Sequence, residues 1–577
     1  MAQSNFLLVA AMDFGTTYSG YAFSSREDFK KDPLKIHANQ AWNAEGRQLL
    51  SLKTPTCLLL DSDKNFFAFG YEAENIYAEL VTEDQHRDYF YFHRFKMILY
   101  QRKKLTKDLM IEDISGKSML ALDVFSLSIK ALKDHLLKTL NKQITGVVIE
   151  DILWVLTVPA IWNENGKQFM RTSAMQAGIP SEKLLLALEP EAASIYCQYL
   201  PTKQLFGADP ELVVAAVGTK YMVVDIGGGT ADITVHEKIN DRRLKETCCA
   251  SGGNCGGTAV DYEFFNMMEK IMNKDTWNAF KRENLEEYLD LAREFETRKR
   301  AIRPDKTGPI HMVIPFTALD TICKEHLNHS LKSAIESSSF SSVLSLRKDK
   351  MRFELDTFIN LFRSTIDSLI ALISDILSRK NGDGITQIIL VGGFSECKLV
   401  QQAVKDAFPQ HTVIVPIDSD LAVMKGAVLF GHQPNIIAQR ISQYTYGVSK
   451  KKPFDPDKHD VNHMEIIKGE AKCTHLFEAF VKRNDTIPPG KVVTTSAKSR
   501  PRDDGFFNLR IFQTEKENPM YTDEEGCSLL GSIKVQKTNP KITEKIKVQF
   551  VFGETEIEGK ITETEHGTAC KFTFDMI

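Results

Sequence analysis

The sequence predicts an α/β fold made of two similar lobes and followed by a small antiparallel β-domain. Apolar strand-like runs alternate with helical stretches as far as about residue 436, which is typical of an α/β protein. A strand that ends in an aspartate, a glycine turn and a second strand occurs twice in that region, which indicates a duplicated unit. Beyond about residue 440 the apolar residues alternate with period two between Gly, Asp and Pro turns, as antiparallel strands do.

Length and composition set broad limits on the protein. A chain of 577 residues is long enough for more than one domain, and a net charge of −4 gives no basis for nucleic-acid binding. No apolar run approaches the roughly 18 residues that span a bilayer, so we expect no membrane insertion. The stretch Phe6–Met12 lacks the flanks of a signal peptide and leads directly into a motif, so we interpret it as the first strand. The ten scattered cysteines show no metal-ligand spacing and predict a reduced, cytoplasmic location.

The first glycine turn follows the strand Phe6–Met12. Its polar and glycine residues are Asp13, Gly15, Thr16, Thr17 and Tyr18. Glycine lets backbone N–H groups come close to an anion, and a carboxylate can hold phosphate through Mg²⁺ and its waters. The turn is therefore a candidate phosphate-binding loop.

Two further glycine turns strengthen this interpretation. The second turn carries Asp225, Gly227, Gly228, Gly229, Thr230 and Asp232 between two apolar runs. The third turn carries Gly392, Gly393 and Phe394 after another apolar strand. Any one of them could be an ordinary turn, but three turns after hydrophobic strands predict a nucleotide between two phosphate loops. The third turn would bind a further phosphate or the ribose–adenine side.

The remaining elements follow from periodicity. Helical spacing predicts helices at Phe125–Leu140, Gly166–Ala177, Glu283–Arg300 and Phe353–Arg379. An apolar run predicts a buried strand over Asp151–Val158, which Pro159 ends. Alternation predicts C-terminal strands at Phe507–Phe512, Ser532–Val535, Ile546–Phe552 and Lys571–Phe574.

These motifs closely resemble those of the 70-kDa heat-shock chaperone family. The family's other motifs appear in the same order, at Thr157–Ala160, Glu189–Ala193, Val391–Gly393 and Phe480–Pro489. The divergent segments 391–396, 433–437 and 444–447 are most similar to the branch called heat shock 70 kDa protein 12. The resemblance implies a duplicated actin-like ATPase domain over residues 1–436, a linker over 437–449 and a β-sandwich over 450–577. It also implies that the family's helical lid is missing.

The resemblance implies a role for each site residue. ATP or ADP would bind with Mg²⁺, which Asp13 and Asp225 would hold through water. Lys96 would orient the attacking water, Glu189 would act through metal-bound water and Asp232 would accept a proton. The residues of the first two turns would contact the phosphates. The nucleoside contacts implied by the family are Glu296, Lys299, Arg300, Gly392, Gly393, Phe394 and Asp420.

Simpler interpretations of two of these groups remain open. A lone lysine beside apolar residues, such as Lys96, is often a surface residue with a buried stem. Glu296, Lys299 and Arg300 share one helical face and could equally form surface ion pairs. Arg303 and Glu396 depart from the family pattern on the adenine side, where the Phe394 ring could stack instead of an arginine.

The expected function is that of a weak Mg²⁺-dependent ATPase with chaperone-like activity in the stress response. Its partners would be polypeptide clients or dedicated proteins, with nucleotide-exchange and J-domain co-chaperones. The linker region 441–452 is aromatic and basic where the family is acidic and leucine-rich, and a missing lid predicts fast peptide exchange. Both features also fit a nucleotide-gated interaction or signalling module. A small-molecule kinase on the same fold is disfavoured, because such enzymes do not end in a β-domain of this kind.

Overall fold

The structure is a computed structural model that describes residues 6–39, 42, 52–102, 105–143, 146–208, 216–240, 243–499, 506–536 and 544–563. Within these ranges, no helix combines the length and the apolar composition that crossing a bilayer requires.

The first lobe is built on a mixed sheet with the strand order β11-β10-β1-β2-β3, in which β4 also pairs with β2. Its strands are β1 (Leu8–Phe14), β2 (Tyr18–Ser25), β3 (His37–Ala38), β4 (Lys53–Pro55), β5 (Cys57–Leu60), β6 (Phe66–Phe69), β7 (Phe90–His93), β8 (Met110–Glu112), β9 (Ser118–Leu120), β10 (Ile152–Val158) and β11 (Leu184–Leu188). Its helices are α1 (Arg26–Lys31), α2 (Tyr71–Thr82), α3 (Ile98–Gln101), α4 (Ala121–Gln143), α5 (Glu164–Gln176) and α6 (Glu189–Tyr199). The expected first strand is β1, and every residue of β1 and β10 is buried.

The second lobe repeats this plan in a sheet of order β12-β20-β19-β13-β14-β15-β21-β25, in which β12 is Leu205–Phe206, β21 is Ile437–Ile441 and β25 is Thr486–Ile487. Its strands are β13 (Lys220–Ile226), β14 (Ala231–Asn240), β15 (Arg243–Gly253), β16 (Ile310–Val313), β17 (Leu344–Arg347), β18 (Lys350–Phe353), β19 (Gln387–Val391) and β20 (Thr412–Pro416). Its helices are α7 (Gly257–Met272), α8 (Lys274–Glu283), α9 (Leu285–Ala301), α10 (Phe316–Leu327), α11 (Leu331–Ser337), α12 (Leu355–Ser378), α13 (Lys398–Ala407) and α14 (Ala422–His432). In both lobes an antiparallel hairpin, β1–β2 or β13–β14, lies beside a parallel strand, β10 or β19.

All four predicted helices are present with somewhat different boundaries, and two of them begin later than predicted. The charged helix predicted from Glu283 is α9 and begins at Leu285, because Asn284 separates it from α8. The helix predicted from Phe353 is α12 and begins at Leu355, because Phe353 is the last residue of β18. Both errors lie at element ends, where periodicity carries the least information.

The C-terminal part forms two antiparallel sheets, β23-β24-β22-β27-β28 and β26-β29-β30. The strands from residue 437 onward are β21 (Ile437–Ile441), β22 (Thr445–Pro453), β23 (Met464–Ile467), β24 (Glu470–Val481), β25 (Thr486–Ile487), β26 (Lys491–Ser499), β27 (Phe506–Thr514), β28 (Cys527–Gln536), β29 (Glu544–Phe552) and β30 (Glu558–Glu563). Val448 and Ile533 of one sheet share a hydrophobic cluster with Val548 and Phe550 of the other. Three predicted strands fall within β27, β28 and β29, whereas the fourth, Lys571–Phe574, lies outside the described residues.

The segment expected to be a linker forms strands. β21 pairs in parallel with β15 of the second lobe and antiparallel with β25. Arg440 of β21 is buried and donates from Nε and Nη2 to the two carboxylate oxygens of Glu191, both at 2.8 Å. The Ile441 amide donates to Glu246 Oε2 at 2.7 Å, so side chains as well as strand pairing hold the segment against the two lobes.

The C-terminal sheets also contact α5 of the first lobe. Arg171 donates from Nη2 to Glu556 at 2.6 Å and from Nε to the same carboxylate at 2.8 Å. The Ile557 amide donates to Glu164 Oε2 at 3.1 Å. The β-rich part is therefore docked on the lobes through defined polar contacts.

Candidate functional site

The two predicted phosphate loops lie against each other across the cleft between the lobes. A Cβ on Gly228 would lie 2.3 Å from the Thr17 hydroxyl oxygen, and a Cβ on Gly229 would lie 2.9 Å from that of Thr16. The carbonyls of the second loop also accept hydrogen bonds from the first amides of α7, among them Thr258 N to Gly228 O at 2.7 Å. Only glycine fits in this space, so the sequence prediction that these turns need bare backbone agrees with their packing.

Four carboxylates converge beneath the loops. Asp13 lies near the end of β1, Asp225 near the end of β13, Asp232 opposite Asp225 on β14, and Glu189 begins α6. Burial raises the pKa of Asp225 well above its ordinary value, and the neighbouring carboxylates of Glu189, Asp232 and Asp13 raise it further. The cleft therefore carries an excess of buried negative charge, which is an environment that favours a cation.

Lys96 contacts one of these carboxylates directly. It lies in the single turn Phe95–Met97, is 3% exposed, and donates from Nζ to Glu189 Oε1 at 2.8 Å. The Nζ atom also lies 5.1 Å from the centre of the Trp162 ring. Burial raises the pKa of Glu189 to about 7 against the opposing effect of Lys96. The open alternative for Lys96, a surface lysine, is therefore wrong.

Asp232 is held in one orientation by two donors. The Ile161 amide donates to its Oδ1 at 3.1 Å and the Thr230 hydroxyl to its Oδ2 at 2.9 Å. Burial raises the pKa of Asp232 to about 6 in spite of these hydrogen bonds. A carboxylate that titrates this close to neutrality is suited to accept and release a proton.

Asp13 is the acid of this group whose pKa lies below its ordinary value. Burial alone would raise the pKa, but the ammonium groups of Lys53 and Lys96 and the Thr157 hydroxyl outweigh that effect. Lys53 Nζ donates to Oδ2 at 2.7 Å and the Thr157 hydroxyl to Oδ1 at 2.9 Å. Sequence reasoning missed Lys53, because no motif surrounds it and only the pairing of β4 with β2 brings it to the cleft.

The predicted nucleoside contacts form a connected group on α9. Glu296 pairs with Lys299 at 2.6 Å and with Arg300 at 2.7 Å, and the Arg300 guanidinium lies 5.0 Å from the centre of the Tyr18 ring. Burial opposes ionisation of Glu296, but the two cations hold its pKa at about 2. The structure thus brings this helix face to the first phosphate loop.

Sequence reasoning also missed an ion pair between the lobes. Asp261 of α7 accepts from Arg94, which follows β7 in the first lobe, at 2.8 Å and from Lys299 at 2.6 Å. Arg94 has a φ of +52°, a backbone conformation that local sequence did not indicate. The pair links the two lobes on the side of α9.

The third glycine turn has a different environment from that expected. Gly392 has a φ of +87°, and a Cβ on it would lie 2.2 Å from Asp225 Oδ1. The Phe394 ring is buried and lies parallel to Phe362, with ring centres 6.5 Å apart, so it packs in the core instead of presenting an open stacking face. Around Gly393 there is open space for a ligand.

The last adenine-side residues lie at the edge of the cleft. Glu396 is exposed, and its carboxylate interacts electrostatically with Asp420 and Arg300. Arg303 lines a shallow depression of about 390 Å³ together with Lys398 and Gln401. Charged side chains, not aromatic rings, therefore surround this edge.

The residues present fit a nucleotide with Mg²⁺. The glycine turns put bare backbone in the cleft and the space beside Gly393 is open, while the buried carboxylates supply oxygen donors of the kind that hold hydrated Mg²⁺. Arg300, Lys96 and Lys53 supply positive charge around the same space. This combination suits phosphate binding and phosphoryl transfer to water.

Comparison with known proteins agrees with this geometry. The sequence profile of the family described as Hsp70 protein matches residues 85–571. The chain is 34% identical to human (Homo sapiens) heat shock 70 kDa protein 12A over 629 residues, which cover 100% of this chain and 92% of that protein. It is 33% identical to the mouse (Mus musculus) protein 12A over 629 residues and to human heat shock 70 kDa protein 12B over 636 residues, with the same coverage. The family resemblance is confirmed, and the chain belongs to the Hsp70 family.

Proposed function

We propose that this chain is an ATP-binding, slowly hydrolysing chaperone-like protein that engages polypeptides through its C-terminal β-domain. Members of the Hsp70 family bind ATP or ADP with Mg²⁺ and act on polypeptides with co-chaperones. The observation that carries the proposal for this chain is the buried contact of Lys96 with Glu189, beside Asp232 and below the two glycine loops. Phosphoryl transfer to water uses such a combination of a positioned cation and carboxylates beside the phosphate loops.

In the proposed reaction, each of these side chains has a separate role. Asp13 and Asp225 would hold Mg²⁺ through water, and the ion would neutralise charge on the β- and γ-phosphates. Lys96 orients the attacking water and offsets the negative charge that develops in the transition state. Asp232, whose pKa is about 6, accepts the proton of that water. Glu189 would act through metal-bound water and also keeps Lys96 in place.

The loops and α9 would position the substrate. Thr16, Thr17 and Tyr18 of the first loop and Gly227–Thr230 of the second would contact the phosphates. Glu296 and Arg300 of α9, together with Asp420, would contact the nucleoside. In support, Arg300 lies over the Tyr18 ring, so the nucleoside helix and the phosphate loop are already joined. Lys299 is buried between Asp261 and Glu296 and would act by holding the helix in position.

The two C-terminal sheets would act as a β-sandwich that binds extended polypeptide. Their shared hydrophobic cluster supports this assignment, as does the match of residues 85–571 to the family profile. Nucleotide-exchange and J-domain co-chaperones are the corresponding proposed partners.

The alternative is a nucleotide-gated interaction module with little refolding activity. The observation that favours it is the buried Arg440–Glu191 pair, which fixes β21 in the sheet of the second lobe. A linker held this firmly could keep the β-domain in one position, where dedicated partners would bind it.

ATP turnover separates these functions. We expect slow Mg²⁺-dependent turnover that Asp225→Ala abolishes and that an extended apolar peptide accelerates. The exposed Asp349→Ala is the matched control and should behave as wild type. Turnover that ignores peptide would favour the interaction module, and turnover unchanged by Asp225→Ala would contradict the proposed site.

A further inference from the structure

Lys53 is a buried cation in the cleft that the motifs above do not include. Its side chain is 14% exposed, and Nζ donates to Asp13 Oδ2 at 2.7 Å. Its Cα lies opposite Gly20 in the pairing of β4 with β2. The lysine therefore approaches Asp13 from the strand next to the first hairpin.

The strand that carries Lys53 also braces the first phosphate loop. Pro55 lies opposite Tyr18 in the strand pairing. The next residue, Thr56, donates from its hydroxyl to Gly15 O at 2.8 Å and from its amide to Thr17 O at 2.9 Å. The ammonium group is thus fixed relative to the loop backbone and is not the end of a mobile surface chain.

The charges around Lys53 connect the two sides of the cleft. Beyond its contact with Asp13, the ammonium interacts electrostatically with Asp225 and with Asp420. Asp13 and Asp225 flank the phosphate loops, and Asp420 lies at the nucleoside edge. A compact, strongly charged ammonium at this position lies between the groups that would surround the phosphates.

We propose that Lys53 is a phosphate-binding residue that acts as a resident cation of the cleft. This inference rests on the proposed nucleotide binding and adds to it. A fixed positive charge beside Asp13 attracts the phosphates whether or not a metal ion is present. Nucleotide affinity in this chain therefore depends less on Mg²⁺ than it would if the carboxylates relied on exchangeable cations alone.

The test is a comparison of nucleotide affinity with and without metal. Binding of fluorescent ADP and ATP is titrated in saturating Mg²⁺ and in excess EDTA, for wild type, Lys53→Met and Lys53→Arg. We expect wild type to lose less than about tenfold in affinity when Mg²⁺ is removed, and Lys53→Met to lose at least about tenfold more. Lys53→Arg, which keeps the charge, should resemble wild type.

The controls separate folding from binding. Lys35 also pairs with an aspartate, since its Nζ lies 2.6 Å from Asp28 Oδ1. Lys35→Met should therefore leave nucleotide binding unchanged. If Lys53→Met does not fold, Lys53→Ala titrated with methylammonium replaces it, and restored affinity in EDTA supports the proposal.

The outcomes distinguish this inference from the proposed function. If the nucleotide affinity of Lys53→Met depends on Mg²⁺ as that of wild type does, the proposed role of Lys53 is wrong, but the proposed function still stands. Tighter nucleotide binding by Lys53→Met would also overturn the role of Lys53, because the lysine would then occupy the place of the metal ion and compete with it. If wild type binds no nucleotide even in Mg²⁺, the proposed function fails and the role of Lys53 fails with it.

Discussion

Gly392 shows how closely single atoms are placed in this cleft. Its left-handed φ already excludes most side chains, and the space where a Cβ would stand is taken by a carboxylate oxygen of Asp225. A turn that sequence analysis assigned to ligand contact thus also positions the neighbouring aspartate.

Gly392→Ala should therefore weaken nucleotide binding by at least about tenfold, since the methyl group must displace Asp225. Gly384→Ala is the matched control, because Gly384 has a similar φ of +79° with open space around it. The control should cost about 1 kcal/mol in the free energy of unfolding and leave binding intact. Thermal melts and nucleotide titrations measure both, and equal binding by the two variants would contradict the contact.

Sequence motifs indicated most of the residues that the structure brings together in the cleft, but not all of their partners. Asp13, Lys96, Glu189 and Asp232 were recognisable, because each lies in or near a motif. Lys53 and Arg94 were not, because strand pairing and a left-handed backbone bring them to the cleft. The structure also places the predicted stacking residue, Phe394, in the core, since burial depends on distant packing that a local pattern does not contain.

At the scale of elements, the lobes are joined by a few polar contacts across the cleft. The Arg94–Asp261 pair links the end of β7 to α7. The Asp261 side chain is 4% exposed and that of Arg94 is 37% exposed, so solvent screens the pair in part. Such a contact favours the closed cleft without preventing it from opening.

Arg94→Asn should speed nucleotide release about threefold to tenfold, because asparagine tolerates the left-handed backbone but cannot pair with Asp261. Stopped-flow displacement of fluorescent ADP measures this rate. Arg87→Asn, which removes an exposed arginine pair with Asp84 in the same lobe, is the control. Release from Arg94→Asn at the wild-type rate would show that the pair does not hold the cleft closed.

The docked linker strand should respond to pH through Glu246. Burial, together with Glu191, raises the pKa of Glu246 from 4.5 to about 8. The folded protein therefore keeps a proton that the unfolded chain releases above about pH 4.5, and stability falls as pH rises toward 8.

Glu246→Gln mimics the protonated form, so its stability advantage over wild type should grow between pH 5 and pH 8, on the order of a few kcal/mol at the upper end. Tm measured across this range tests the expectation. Glu237→Gln, which alters a partly exposed glutamate paired with Lys245, should show no such trend. A constant difference between Glu246→Gln and wild type would mean that Glu246 does not titrate in this window.

The alternating strands and the repeated hairpins were predictable as elements, because their periodicity is local. The strand β21 was not, because its five residues include Gln439 and Arg440 and its pairing partners lie far away in the chain. Its position follows from satisfying backbone hydrogen bonds and from the Arg440–Glu191 pair, neither of which a sequence pattern shows.

At the scale of the whole molecule, the β-rich part rests on α5 through Arg171 and Glu556. Both side chains are less than one-fifth exposed, at 16% and 18%, so the pair is less screened than a surface ion pair. Together with β21, it places the C-terminal sheets against the lobes. Sequence analysis predicted the two-part order, but docking surfaces have no periodic signal.

Glu556→Gln should loosen this arrangement, because the uncharged amide leaves the Arg171 guanidinium without its charge partner, at a cost of about 1–3 kcal/mol. Small-angle scattering should show a larger radius of gyration, and limited proteolysis should cut the region around residues 437–445 faster. Asp455→Asn, which removes an exposed pair with Lys458, is the control. A compact, protease-resistant Glu556→Gln protein would show that other contacts suffice for docking.

The position of β21 has a further consequence for the behaviour of the protein in solution. β21 covers the backbone edge of β15, and β25 covers β21 in turn. When the β-rich part separates from the lobes and takes β21 with it, unpaired N–H and C=O groups of β15 are uncovered at the edge of the remaining sheet, and such an edge recruits strands from other chains. Conditions that separate β21 from β15 should therefore promote self-association. The resistance of the protein to aggregation then depends on the docking of its C-terminal part as well as on its surface charge.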